Sequence, residues 1–122
     1  MKTNQNISCQ KSFEFALIVV EIYKYLVQEK KEFILSKQLL RSGTSIGANI
    51  YEALSAESKY DFVHKLSISL KEARETEYWF RLLQESQYLK EDKFKFCCNK
   101  LEEITKLLKS SILTTKQRYN LK

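Results

Sequence analysis

Arg41-Ser42-Gly43-Thr44-Ser45-Ile46-Gly47-Ala48-Asn49-Ile50-Tyr51-Glu52 holds both glycines of a 122-residue chain that contains no proline. Without proline, nothing in the sequence forbids long helices. Gly43 and Gly47 stand one helical turn apart, so on a helix they take adjoining positions of a single face. A glycine inside a helix costs roughly 1 kcal/mol relative to alanine, and close packing of another helix on that face is the compensation the pattern predicts. The segment reads as the organising centre of an all-helical domain.

The stripe that carries this pair is Leu35, Leu39, Gly43, Ile46, Ile50 and Ala53, widened on one side by Leu40, Gly47, Tyr51 and Leu54. It predicts a second helix over about 32–56, starting at Glu32 or Phe33. Upstream, Ser8 or Ser12 can cap a first helix placed at about 10–30. Phe13, Ala16, Leu17, Val20 and Val27 form one apolar face of it, and Phe15, Val19, Ile22 and Leu26 a nearly opposite one. A helix with two apolar faces is either wrapped by its own chain or shared with another subunit. Downstream, Ser58 as N-cap and Asp61 in the first turn open a third helix, about 59–86, with Phe62, Leu66, Leu70, Ala73 and Phe80 on one line and Val63, Trp79 and Leu83 nearby. A fourth helix, about 92–116, buries Phe94, Cys97, Cys98, Leu101, Ile104, Leu108 and Ile112, with fraying expected past Gln117. Short connections favour antiparallel neighbours, so the chain is expected to form one all-α domain over 1–122, an up-down-up-down antiparallel four-helix bundle.

Along the second helix Gln38, Arg41, Ser45, Asn49 and Glu52 step by three, four, four and three residues. They form a narrow polar line beside the apolar stripe. The line is either the wet edge of an amphipathic helix or a hydrogen-bonded network at a helix or subunit interface, for which the third helix offers Ser69, Glu72 and Glu75.

Composition narrows the function. The apolar run Ala16–Val20, extended by Phe15 and closed by Glu14 and Glu21, falls far short of the roughly 20 residues that span a bilayer, and the N-terminus has no convincing signal peptide. Cys9, Cys97 and Cys98 suit neither a disulfide framework nor a zinc site. A cytoplasmic protein without metal or cofactor is expected. The net charge of +6 resides at the two ends of the chain, with residues 32–90 balanced. Such a surface is compatible with nucleic acid and equally with solvated lysines that bind nothing. His64, the single histidine, has no serine or cysteine beside it by local spacing, and Glu72, Glu75 and Glu77 lie among Lys71, Arg74 and Arg81 as in a solvated helix. Both glycines fall inside a helical pattern, which leaves no phosphate-binding loop. The chain therefore reads as a non-enzyme.

Two long motifs carry a family resemblance. Gln38-Leu39-Leu40-Arg41-Ser42-Gly43-Thr44-Ser45-Ile46-Gly47-Ala48-Asn49-Ile50-Tyr51-Glu52-Ala53, and Asp61 through Ala73 continuing to Glu77-Tyr78-Trp79-Phe80-Arg81-Leu82-Leu83, resemble the bacterial four-helix-bundle family of 23S ribosomal RNA intervening-sequence proteins. Ala53 departs from the family pattern, where many relatives have glycine. The resemblance implies a bundle that assembles into a ring, a homopentamer. It also implies nucleic-acid contact, since some relatives are encoded inside ribosomal RNA genes. A related bundle is an accessory protein of diversity-generating retroelements that works with a reverse transcriptase and RNA. The resemblance transfers no catalytic residues.

The leading expectation is a homo-oligomer that binds RNA or a nucleic-acid-processing partner through Lys95, Lys100, Lys106, Lys109, Lys116 and Arg118, with Lys24, Lys30 and Lys31 second. Repetition around a ring would strengthen such binding by multivalency. The alternative is a structural or protein-interaction bundle whose basic tail only aids solubility.

Overall fold

The computed structural model describes residues 4–122 and places four helices there: α1 (Asn4–Gln28), α2 (Leu35–Ala53), α3 (Lys59–Glu85) and α4 (Glu91–Arg118). Residues 1–3 of the expected 1–122 domain lie outside the described residues. Each helix runs antiparallel to the next. α2 packs against α1 and α3, α4 against α3 and α1. The diagonal is bridged by the rings of Phe15 and Phe80, edge-to-face with centroids 6.1 Å apart.

α1 begins at Asn4 rather than near residue 10. Ser8 and Ser12 are not caps; both are buried on the inner face. The Ser12 hydroxyl donates to the Cys9 carbonyl one turn back (3.1 Å), the internal bond that lets a serine sit inside a helix. α2 starts at Leu35 rather than at Glu32 or Phe33, because Glu32 acts as its cap. Its carboxylate accepts the amides of Ile34 (3.2 Å), Leu35 (3.0 Å) and Ser36 (2.7 Å), and its carbonyl accepts the Ser36 hydroxyl (2.8 Å). Burial pushes this carboxyl group up, but the three amide bonds outweigh it and hold Glu32 below the usual carboxylate range. The third start agrees with the sequence: Ser58 Oγ accepts the Asp61 amide (3.0 Å).

With both glycines inside α2, the reversals use other residues. Lys31 (φ 55°) and Gln87 (φ 69°) adopt the left-handed region, which lets the amides of Glu32 and Leu89 return to the carbonyls of Leu26 (2.9 Å) and Leu83 (3.2 Å). The chain past Gln117 does not fray: Leu121 N donates to the Lys116 carbonyl (2.8 Å), and Lys59 Nζ lies 5.0 Å from the Tyr119 ring centroid.

The core joins Phe15, Val19, Ile22 and Leu26 to Leu39, Ile46 and Ile50, with Leu66, Ala73, Phe80 and Leu83 from α3 and Cys97, Leu101, Ile104 and Leu108 from α4. Of the two apolar faces of α1, only the Phe15 set enters it. Phe13 (59 % exposed) and Leu17 (53 %) face outward. Tyr51 and Leu54, expected to widen the α2 stripe, are exposed as well. On α3 the buried line runs through Ser69 and Thr76, while Phe62 and Leu70 are half-buried. The reason lies in α2, which is approached closely on both flanks. Toward α1, a Cβ on Gly43 would lie 2.8 Å from both Val19 methyls, and one on Gly47 3.1 Å from Ser12 Oγ. Toward α3, Ser69 Oγ donates to the Ile46 carbonyl (2.8 Å) and Thr76 Oγ1 to Ser42 Oγ (2.9 Å). Small residues on both flanks let α2 wedge between its neighbours, and hydroxyl contacts fix its register on α3.

Candidate functional site

The polar line of α2 divides in its roles. Arg41 reaches α3: Nη1 donates to Glu72 (3.3 Å), Nη2 to Glu75, and Nε to Gln38 on its own helix (3.4 Å). Trp79 Nε1 also donates to Glu75 (2.9 Å). At the other end Glu52 pairs with Lys65 of α3 (3.1 Å). Between them, Ser45 and Asn49 turn back onto the carbonyls of Arg41 (2.6 Å) and Ser45 (2.8 Å), and Ser69 serves the backbone of Ile46 rather than a side chain of the line. Gln38, Arg41 and Glu52 thus belong to the seam between α2 and α3, a network that ties two helices.

The six cations singled out on α4 do not share one surface. Eighteen residues make five turns, so Lys100 and Arg118 lie in line. Lys100 borders the α1 side with Lys11 and Glu14 and stands 5.6 Å from the Phe96 ring centroid. Lys95 and Lys106 lie on the outer face and are matched by Glu91 (3.5 Å) and Glu102 (3.3 Å). Lys109 and Lys116 lie on the α3 side. Of the second group, Lys24 is drawn to Glu21 (3.7 Å), and Lys30 and Lys31 stand exposed on the α1–α2 connection.

The groove between α3 and α4 gathers cations that the sequence reading left apart. One end is lined by Tyr60, Val63, His64 and Ser67 of α3 with Lys116, Leu121 and Lys122. Farther along, Arg74 of α3 and Lys109 of α4 line the same seam before Glu77 and Glu102 close it. Among the described residues, none of Lys71, Arg74, Lys109, Lys116 and Lys122 forms an ion pair. His64 is exposed, and the Ser67 hydroxyl beside it donates to the Val63 carbonyl (2.8 Å). Tyr60 (65 % exposed) and Tyr119 (46 %) flank this end. The signal for the α3 edge was in the sequence: Tyr60, His64, Ser67, Lys71 and Arg74 step by four, three, four and three, the same kind of line as on α2. Its pairing with Lys109 and Lys116 was not, because that depends on how α4 lies on α3.

A second surface is apolar. Where α1 and α4 diverge, an open groove of about 710 Å³ is lined by Leu17, Ile18, Ile22, Tyr25, Leu89 and Phe96, with Glu21, Lys90, Asp92 and Lys93 at its rim. Cys98 lines the acidic end of the α3/α4 groove beside Glu77 and Glu102, and Cys97 is buried in the core. Burial pushes the Cys97 thiol up to about 11 and raises those of Cys98 and Cys9, which makes poor nucleophiles of all three.

Comparison with known proteins places this architecture. Residues 4–110 match the model of a family described as 23S rRNA-intervening sequence protein. The chain is similar to the crystal structure of a protein of unknown function from the S23 ribosomal protein family of Bacteroides thetaiotaomicron, with a TM-score of 0.89 and 53 % identity over 90 % of this chain and 98 % of that one. No curated protein matches it. Lys116, Tyr119 and Lys122 lie beyond the stretch matched by the family model.

Proposed function

The chain belongs to the 23S rRNA-intervening sequence protein family, and from that footing we propose that it is a non-enzymatic, self-assembling helical bundle that binds RNA in its α3/α4 groove. The observation that carries the reading is the contrast between cations. Those on the outer face of α4 are matched by carboxylates one turn away, whereas Arg74, Lys109 and Lys116 converge on one groove without an ion-pair partner. Unmatched charge in a concave seam attracts phosphate, and releasing counterions from that phosphate drives binding. Supporting the non-catalytic part, Ser67 directs its hydroxyl to a backbone carbonyl and not to His64. Three free thiols suit a reducing, cytoplasmic setting.

Self-assembly into a ring, a homopentamer by family resemblance, is supported by the outward apolar face of α1 at Phe13 and Leu17. A ring brings several copies of the groove to one RNA and multiplies a modest affinity. Native mass measurement of the wild type and of Leu17→Glu tests this part: a smaller assembly with unchanged helix content is expected, and an unchanged mass would remove α1 from the interface. The groove is tested by RNA binding across salt concentrations. Lys109→Gln with Lys116→Gln should weaken binding and reduce the salt dependence, by about 0.7–0.9 in log–log slope for each phosphate that is no longer neutralised. Binding that ignores both salt and these substitutions would reject the groove. The reading as a protein-interaction bundle without an RNA role is favoured by one observation, the apolar α1/α4 groove, and predicts assembly with no RNA binding at moderate salt.

A further inference from the structure

The groove is aromatic as well as basic, and this points to the kind of RNA it takes. Neither Tyr60 nor Tyr119 contributes to the core: both are exposed, Tyr60 lining the end of the groove where α3 begins and Tyr119 following the last residue of α4. Lys59 Nζ lies over one face of the Tyr119 ring, 5.0 Å from its centroid, so a base would stack on the opposite face with a cation close by for its phosphate. From Tyr60 the α3 edge continues through His64, Lys71 and Arg74, a path of about 21 Å at 1.5 Å per residue. Glu77 and Glu102 then end it.

A duplex keeps its bases stacked inside and offers a groove protein only phosphates and sugar edges, so exposed tyrosines would have nothing to stack on. A single strand can lie along a seam between two helices with its phosphates on the cations and its unstacked bases on the rings. We infer that the α3/α4 groove binds single-stranded RNA, with bases stacked on Tyr60 and Tyr119 and the backbone running past Lys116 and Lys109 toward Arg74. This rests on the RNA-binding reading above and adds the strandedness and the stacking residues.

The test is fluorescence anisotropy of the full chain with a labelled oligouridylate, which forms no pairs, and with a blunt-ended RNA duplex of equal phosphate number, each at several salt concentrations. The oligouridylate is expected to bind at least about 10-fold more tightly. Tyr119→Leu and Tyr60→Leu should each weaken it by about 5- to 100-fold with the salt slope unchanged, since stacking carries no charge. Tyr119→Phe and Tyr60→Phe, which keep the ring face, should bind as the wild type does, and because all four changes are at exposed positions the circular dichroism spectrum should not move. Equal or tighter duplex binding, or Tyr→Leu variants that bind as the wild type while Lys109→Gln with Lys116→Gln weakens binding, would overturn the single-strand inference and leave RNA binding standing. No binding of either RNA would overturn both.

Discussion

Replacing Gly43 by alanine adds one methyl group at the closest approach between α1 and α2. Two opposed effects set the outcome. The helix gains about 1 kcal/mol, because alanine restricts the unfolded backbone more than glycine does. Against that, the new Cβ would stand 2.8 Å from both methyls of Val19, a fully buried residue that is β-branched and held to one rotamer in a helix. Val19 cannot swing aside, so the two helices must separate, and overpacking of this kind costs about 1–3 kcal/mol. Gly43→Ala is therefore expected to be destabilising by about 0–2 kcal/mol. The same change at Gly47 meets Ser12 Oγ at 3.1 Å, with the next nearest atoms at 3.4 Å, so Gly47→Ala should be neutral or up to about 1 kcal/mol more stable. Urea unfolding followed by circular dichroism at one fixed protein concentration reads the difference. At an m-value of about 1–3 kcal/mol/M, a gap of about 1 kcal/mol separates the midpoints by about 0.3–1 M. Val19→Ala supplies the rescue: in the double variant the methyl group introduced at position 43 occupies space that Val19 vacates, and a favourable coupling of about 1–3 kcal/mol is expected. A Gly43→Ala protein as stable as Gly47→Ala, or energies of Gly43→Ala and Val19→Ala that add within about 0.5 kcal/mol, would refute the close-packing argument.

Glu32→Ala removes the cap of α2 and should cost about 1 kcal/mol at neutral pH. Because the folded carboxyl titrates below its ordinary value of 4.5, its contribution is complete above that pH and is lost as pH falls through the lower folded value, so stability curves of wild type and variant should converge in acid; a constant gap down to about pH 2 would contradict the capping role. Thr76→Val leaves Ser42 with only its long bond to the Leu39 carbonyl (3.5 Å) and should cost about 1 kcal/mol, while Thr76→Val with Ser42→Ala should recover most of it, as judged by the same unfolding assay; a double variant no better than the single would show that the hydroxyl pair is not the unit. Cys97, whose thiol is pushed up to about 11, should react with a thiol reagent at neutral pH more slowly than Cys9 and Cys98, and only on unfolding; mass spectrometry of partly labelled protein would expose a fast Cys97.

Much of the fold was legible because helical periodicity is a local property. Ser58 and Asp61 marked the start of α3 as they stand, and the absence of proline left the helices long. The errors fell where one residue type serves two local purposes. Ser8 and Ser12 have the chemistry of caps, but both are buried inside α1; Ser12 bonds back within the helix and lies under Gly47, and only the neighbouring helix decides this. Glu32 looked like a first helical residue, but its side chain reaches forward to cap the next turn. For the functional surface, each helix edge was present as a spacing pattern, yet the lysines of α4 could not be sorted into matched and unmatched without knowing which edge of α4 meets α3.

Residue spacing alone makes this chain a four-helix bundle of its family, with α2 as the helix that others approach closely. Glycines at Gly43 and Gly47 and a proline-free backbone leave few other ways to compensate their helix cost. Which apolar face of α1 enters the core, and which side of α4 meets the line from Tyr60 to Arg74, is fixed by packing between helices. Helix formation depends on residues one turn apart in the chain, whereas a groove depends on the rotation of one helix against another, and that is set by packing across the whole core.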